Sequence, residues 1–175
     1  MRTYIFICFI ATLLTGCSQH SGSDKTNINS EKKIRKQVIN IAETYAKNKL
    51  KGAEKTVTNE GSIIFSTGDK KCVINPSYII IGEIDEDPLK DAVVSIFTFQ
   101  GQGLPLKEHF ILINKNGKLS IAKELDGEMK FLSISNRTIY IETSKMAPDS
   151  PFADCQLCKV IKAYKFIAGD TVVIK

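Results

Sequence analysis

The sequence predicts an α+β domain in which one N-terminal amphipathic helix packs on an antiparallel β-meander. Apolar residues recur at helical spacing in one segment, which ends near residue 50. From residue 61 onward the pattern changes to alternation of period two, with turn residues at regular intervals. No stretch alternates a strand with a helix, which argues against a parallel βαβ sheet. A tightly bent sheet around the helix and a small sandwich both satisfy this pattern.

The predicted helix begins at Ser30, a residue type that caps helix N-termini, and ends before Gly52, a residue type that often follows a helix C-terminus. Its apolar residues form one stripe, with Lys, Glu and Asn on the opposite face; they are Ile34, Val38, Ile41, Ala42, Tyr45 and Leu50. Because a lone amphipathic helix is stable only when its stripe is buried, we expect it to pack against the sheet that follows.

The strands are predicted from alternating β-branched and aromatic residues between turn signals. They cover residues 61–66, 72–75, 78–84, 91–99, 108–114, 118–125, 130–135, 138–143, 158–167 and 171–174. The clearest turn signals between them are Asn116-Gly117, Asp126-Gly127, Asn136-Arg137 and Gly169-Asp170.

A leader precedes this domain. Arg2 and the amino terminus are positively charged, and an uncharged apolar run extends from Tyr4 to Leu14. This run of about 11 residues is far shorter than the ~20 that a membrane-spanning helix needs. Residues 1–16 are therefore predicted to be a cleaved signal peptide rather than a permanent membrane helix.

The end of the leader, Leu14-Thr15-Gly16-Cys17, resembles the bacterial lipobox. The resemblance implies cleavage before Cys17, a diacylglycerol on its thiol and an N-linked acyl chain such as palmitate. Several acyl chains together give stable membrane anchoring. An Asp directly after the lipidated cysteine resembles an inner-membrane retention signal, and this chain has Ser18 at that position. The resemblance therefore implies that the protein is anchored to the outer membrane and faces the periplasm. Residues 17–29 are then the lipidated cysteine and a flexible tether, and residues 30–175 form a single domain.

The basic residues are scattered along the chain and do not form a stripe, which argues against nucleic acid as a partner. The densest group is Lys32, Lys33, Arg35 and Lys36, immediately after the predicted tether. A solvated helix face is the favoured interpretation of this group, and contact with anionic lipid head groups is the alternative.

Three cysteines remain after the leader and Cys17 are set aside: Cys72, Cys155 and Cys158. The last two form a C-x-x-C, but no His follows for haem attachment and four zinc ligands are not at hand. A redox pair needs its first cysteine at a helix N-terminus, whereas here a strand follows. A structural disulfide is predicted, either between Cys155 and Cys158 or between Cys72 and one of them, with free thiols as the alternative.

Residues 83–91 carry the one pattern with recognisable chemistry. Counted from Glu83, carboxylates fall at positions 1, 3, 5 and 9, with a backbone carbonyl available at position 7; the residues are Glu83, Asp85, Asp87, Asp91 and Leu89. This is the spacing of a calcium-binding loop. Pro88 replaces the usual Gly at position 6, and Val94 replaces the usual acid at position 12. An exposed acidic turn without a metal is therefore the other interpretation.

Residues 78–166 resemble a group of uncharacterised periplasmic and lipoprotein domains with an FG-GAP/VCBS-like acidic loop. The resemblance is carried by the acidic loop with Asp91-Ala92-Val93-Val94, by the glycine-containing hairpin at residues 100–103, and by a late Pro/Asp/Cys loop before a final strand with a K-x-Y pattern that includes Tyr164. It implies an envelope location and, for the acidic loop, descent from a metal-binding loop.

No catalytic motif of a hydrolase, metalloprotease, P-loop or dinucleotide enzyme occurs. His20 lies in the tether, and His109 is expected at the surface or rim of a strand. The prediction is a non-enzymatic binding or structural module that is bound to the membrane and contacts an envelope protein or glycan. The alternative is an inhibitor or immunity lipoprotein that inserts residues 145–158 into a periplasmic hydrolase or toxin. An enzyme that uses the loop carboxylates is a third hypothesis.

Overall fold

The computed structural model describes residues 23–145, 155, 158–167 and 169–174. Within these residues it contains one helix, α1 (Ser23–Lys49), and ten strands. The strands are β1 (Glu54–Val57), β2 (Ile63–Thr67), β3 (Lys70–Gly82), β4 (Asp91–Gln100), β5 (Leu106–Lys115), β6 (Lys118–Asp126), β7 (Met129–Ser135), β8 (Thr138–Ser144), β9 (Lys159–Ile167) and β10 (Asp170–Ile174). The predicted signal peptide and Cys17 lie outside the described residues.

Helix α1 begins at Ser23, seven residues before the predicted cap at Ser30. Residues 23–29, which we expected in the flexible tether, therefore form about two helical turns. The physical reason is that no Gly or Pro stands between Ser23 and Lys49, so nothing in the sequence stops the helix from extending. At the other end Gly52 takes a φ of 76°, the left-handed conformation expected after a helix C-terminus.

The strands form two antiparallel sheets. The first has six strands in the order β1-β2-β3-β4-β5-β6, and the second has four in the order β10-β9-β8-β7. β3 is one strand where the sequence predicted two; its pairing with β4 is irregular between Ile74 and Ile79, around Pro76, which has no N–H to donate. β1 was not predicted, because all four of its residues are exposed and show no alternation.

The layers are α1, the six-stranded sheet and the four-stranded sheet. One core lies between α1 and the first sheet, with Val38, Ala42 and Ala46 of the helix fully or almost fully buried in it. A second core joins the two sheets, through residues that include Val93, Ile111, Phe131, Ile139 and Ile141. The predicted α+β class is confirmed, and the two packed sheets correspond to the sandwich rather than to one bent sheet.

The two sheets pack closely at Gly82. A Cβ atom added there would lie 2.6 Å from the Cβ of Ile134 on β7, so only glycine allows this contact. Gly82 is the last residue of β3, and the acidic loop begins immediately after it. The close packing therefore fixes where the loop leaves the sandwich.

No helix in the described part of the chain is long and apolar enough to cross a membrane.

Candidate functional site

Asp91, the last of the predicted calcium ligands, is the first residue of β4 and is fully buried. Its carboxylate accepts hydrogen bonds from the backbone N–H groups of Ile84 at 2.7 Å, Asn114 at 2.8 Å and, more weakly, Asp85 at 3.4 Å. Burial raises the pKa of Asp91, and these backbone donors oppose the rise. Asp91 thus holds the start of the acidic loop against the end of β5.

Asp85 and Asp87 form the outer turn of the loop. Asp85 Oδ1 accepts from the N–H of Asp87 at 3.1 Å, and Asp87 Oδ1 accepts from the N–H of Leu89 at 2.9 Å. Lys115, at the end of β5, extends its Nζ to Oδ2 of Asp85 at 2.5 Å and to Oδ2 of Asp87 at 3.4 Å. Burial raises the pKa of Asp85, but the Lys115 ammonium and the Asp87 N–H outweigh it, so that the pKa lies below its usual value.

The structure thus divides the predicted ligand set. Asp85 and Asp87 lie together under Lys115, Asp91 turns inward to backbone amides, and Glu83 pairs with Lys90 at 3.1 Å. Over the described ranges, no group of three or more His, Cys, Asp or Glu side chains is arranged to hold a metal ion. The calcium site stays a prediction, in which a bound ion competes with Lys115 for the two outer carboxylates.

An open cleft of about 620 Å³ lies beside the loop, and we call it the acidic cleft. One end carries three carboxylate side chains and one ammonium: Asp85, Glu86, Asp87 and Lys115. The remaining lining comes from β5, β6 and the β9–β10 hairpin and is largely apolar, with Ile113, Ala122, Phe166 and Ile167. Clefts that combine apolar lining with a few charged groups are typical of ligand sites. The excess of carboxylates favours a ligand with a positive group next to an apolar one.

A second pocket, of about 320 Å³, lies on the other side of the loop, against α1; we call it the lysine pocket. It is lined by Ser30, Lys33, Ile34, Gln37, Pro88, Leu89, Lys90, Asn114 and Gly117. The Asn114 side chain donates through Nδ2 to the carbonyl of Lys90 at 3.0 Å. Its Oδ1 is buried and has no hydrogen-bond partner in the part of the chain that the structure describes. Buried polar atoms of this kind are uncommon in folded proteins.

Glu108 is a buried carboxylate under the C-terminal end of α1. It accepts from the Tyr45 hydroxyl at 2.6 Å, from Lys49 Nζ and from the Thr98 hydroxyl at 2.8 Å. Burial raises the pKa of Glu108, but these donors outweigh it and hold the pKa below its usual value. With both oxygens engaged, Glu108 braces the helix against the sheet.

His109 lies between the two sheets and is 1% exposed, so the expected surface or rim position is wrong. Its Nδ1 lies 2.8 Å from the Ser95 hydroxyl and its Nε2 lies 3.1 Å from the carbonyl of Gly127. A carbonyl only accepts, so we assign the proton to Nε2, and Ser95 donates to Nδ1. Burial lowers the pKa of His109. A pair buried in this way is not accessible to a substrate.

Cys155 and Cys158 are joined in a disulfide with their Cα atoms 5.2 Å apart, whereas Cys72 is buried with a free thiol. Burial raises the pKa of Cys72 to about 11, which makes it unreactive at neutral pH. Lys145 N–H donates to the carbonyl of Cys158 at 2.9 Å. The ends of segment 145–158 therefore meet; residues 146–154, 156 and 157 lie outside the described residues.

Comparisons with known protein families, with curated proteins and with solved structures each find no match to this chain. The lipobox resemblance and the FG-GAP/VCBS-like resemblance of residues 78–166 therefore stay predictions. The class that the fold defines is a three-layer α+β domain with two pockets of opposite charge on either side of one loop.

Sequence reasoning missed both Lys115 and Asn114. They lie 30 and 23 residues after Asp85 and Asp91, the carboxylates that they contact. The only local signal was the Asn116-Gly117 turn, which predicted a hairpin beside them but not which loop that hairpin would meet.

Proposed function

We propose that the protein is a non-enzymatic envelope lipoprotein, anchored through Cys17 to the outer membrane, whose acidic cleft binds a component of the envelope. The observation that supports it most directly is the lining of the cleft, with three carboxylates at one end and an apolar floor. The component would be a protein segment or an amino-bearing glycan that places a positive group against Asp85 and Asp87. Calcium bound by the loop would reduce this attraction.

The hydrogen bonds of the buried acid Glu108 and the buried base His109 favour a binding function over a catalytic one. Glu108 accepts from three side chains, and both ring nitrogens of His109 are engaged. A general acid or base must instead present an atom to the reacting group. Of the three carboxylates in the acidic cleft, Asp85 and Asp87 are neutralised in part by Lys115.

Site-specific crosslinking tests the cleft. A photo-crosslinking residue is placed at Ala122, an exposed position in the cleft lining, or at Ser133, an exposed position on β7. Irradiation of cells with the lipidated protein is expected to give a discrete adduct from position 122 and none from position 133. Adding Ile167→Lys, which replaces an exposed apolar side chain of the rim by a positive charge, should remove the adduct. The same adducts from both positions, or no adduct from 122, would contradict the proposal.

The anchor is tested separately. Cys17→Ala is expected to abolish globomycin-sensitive processing and to move the protein out of the membrane fraction, because the lipid-bearing thiol is gone. Ser18→Asp is the matched variant, since it leaves Cys17 in place and is expected to shift the protein from the outer to the inner membrane. Recovery of the wild-type protein as an unacylated soluble chain would refute the anchor.

The second candidate, an inhibitor or immunity lipoprotein, is favoured by the base of segment 145–158. The Lys145–Cys158 hydrogen bond joins its two ends, and the Cys155–Cys158 disulfide constrains its C-terminal end. Replacement of residues 147–153 by a Gly/Ser linker of equal length distinguishes the two. The adduct from position 122 survives the replacement if the cleft is the binding site and disappears if the loop is.

A further inference from the structure

The lysine pocket and the first exposed part of α1 form a positively charged surface. Lys33 and Lys90 line the pocket, and Lys32 and Lys36 are exposed on the same part of α1 as Lys33, one helical turn from each other. Within the described residues, Lys32, Lys33 and Lys36 have no carboxylate partner. Lys90 pairs with Glu83. This surface therefore has positive charge available for an anionic partner.

The early start of α1 places this surface near the membrane anchor. Cys17 and Ser23 are six residues apart, and a chain of that length spans about 20 Å at most. Lys33 lies ten residues into the helix, about 15 Å along its axis. The sequence predicted a tether that extends to residue 29 and favoured a solvated helix face for this basic group. With the shorter connection, an α1 that lies along the bilayer holds the lysines at the level of the head groups.

The chemistry of the pocket fits a phospholipid headgroup. Its volume of about 320 Å³ leaves room for a small polar group, and Ile34, Pro88 and Leu89 add apolar wall. Ammonium groups are good phosphate binders. The buried Oδ1 of Asn114 has no partner among the described residues, so a headgroup hydroxyl can donate to it once the side chains that cover it move aside.

We propose that this surface docks on an anionic phospholipid bilayer, with a glycerol phosphate headgroup in the lysine pocket. The proposal rests on the proposed lipid anchor, which sets the distance to the membrane. Docking would hold the domain in one orientation and leave the acidic cleft, on the other side of the loop, free for its ligand.

Lysine footprinting of the intact lipidated protein tests the proposal. The protein is bound to vesicles of phosphatidylcholine, or of phosphatidylcholine with one-third phosphatidylglycerol, and acetylated briefly; mass spectrometry then gives the rate at each lysine. Lys33 and Lys90 are expected to react about fivefold more slowly on the anionic vesicles. Lys162, exposed on β9 in the other sheet, should react equally on both. High salt should remove the difference, since it screens charges.

Two charge-matched variants sharpen the result. Lys33→Glu is expected to abolish the protection of Lys90, whereas Lys162→Glu, an identical charge change on the second sheet, should leave it intact. Equal acetylation of Lys33 and Lys90 on both kinds of vesicle, or equal protection of Lys162, would overturn the proposal. The mass of the peptide that contains Cys17 shows independently whether the lipid anchor is present. An unacylated Cys17 would contradict the proposed lipid anchor. In that case the acetylation rates of the protein that sediments with the vesicles still decide whether the lysine pocket docks on the bilayer.

Discussion

Asp91 offers the sharpest test of how the acidic loop is built. Its two oxygens accept one short backbone hydrogen bond each, from Ile84 at 2.7 Å and from Asn114 at 2.8 Å, in a fully buried environment. Asp91→Asn keeps the shape but replaces one accepting oxygen by an NH₂ group. One of the two backbone N–H groups then faces another donor and loses its partner. The loop start or the end of β5 must move to relieve this contact.

The cost of Asp91→Asn follows from these contacts. A hydrogen bond to a charged acceptor contributes about 1.5–3 kcal/mol, and a buried donor left without a partner costs about 1–3 kcal/mol. Burial raises the pKa of Asp91, which means that the charged carboxylate carries a desolvation cost. The uncharged Asn side chain avoids that cost, and this offsets part of the loss in stability. We therefore expect a loss of about 3 kcal/mol in the free energy of unfolding. With a urea m-value of about 2 kcal/mol/M, the unfolding midpoint falls by about 1.5 M.

Equilibrium urea unfolding of the mature protein measures this, with Asp87→Asn as the control. Asn at position 87 still accepts from the N–H of Leu89 and loses only the half-exposed pair with Lys115, so it should cost less than about 1 kcal/mol. Equal costs for Asp87→Asn and Asp91→Asn would refute the division of the loop into a buried brace and an outer turn.

Four further changes probe the fold and the loop. Arg137→Gly should raise the melting temperature by about 3 °C, because Arg137 takes a φ of 56° that costs an L-residue roughly 1 kcal/mol. Gly82→Ala, whose Cβ would lie 2.6 Å from the facing β7 side chain, should cost about 2 kcal/mol, whereas Gly103→Ala, with no atom within 3.5 Å of its added Cβ, should be almost neutral. Because the pKa of His109 is lowered on folding, the unfolded chain takes up the proton first; stability is therefore full above about pH 6.5 and declines as the pH falls, by at most about 1.4 kcal/mol per unit, and His109→Gln should flatten this decline in a urea series. If the loop binds calcium, millimolar calcium raises the melting temperature, and more so in Lys115→Met, since the competing ammonium is gone; no rise in either protein would end the calcium prediction.

The sequence predicted the parts of the fold that are buried. Strands β4 and β5 lie between the two cores, so both of their faces are buried and they read as nearly continuous apolar runs. The Asn116-Gly117 turn has the positive φ values, 56° and 83°, that its residue types favour. The sequence prediction was wrong in segments that bury no apolar side chains and therefore show no apolar periodicity. β1 is exposed throughout, and residues 23–29 are too polar to show a helical stripe.

The candidate site was predictable only within one stretch of the chain. The carboxylates of the acidic loop are evident as a spacing, but spacing does not reveal that Asp91 turns inward while Asp85 and Asp87 remain outside. The partners that decide this, Lys115 and Asn114, come from the β5–β6 hairpin. Long-range contacts of this kind depend on the register of the sheet, which the turn alone does not fix relative to another loop.

One loop separates the two pockets, and this gives the proposals a joint consequence. Asp85 and Asp87 line the acidic cleft, Pro88 to Lys90 line the lysine pocket, and Asp91 anchors the whole segment. If both pockets bind as proposed, Asp91→Asn should weaken the adduct from position 122 and the protection of Lys90 together. Lys33→Glu, which changes one pocket only, should abolish the protection of Lys90 and leave the adduct unchanged. An Asp91→Asn protein that lost one signal alone would mean that the loop is not the shared support of the two pockets.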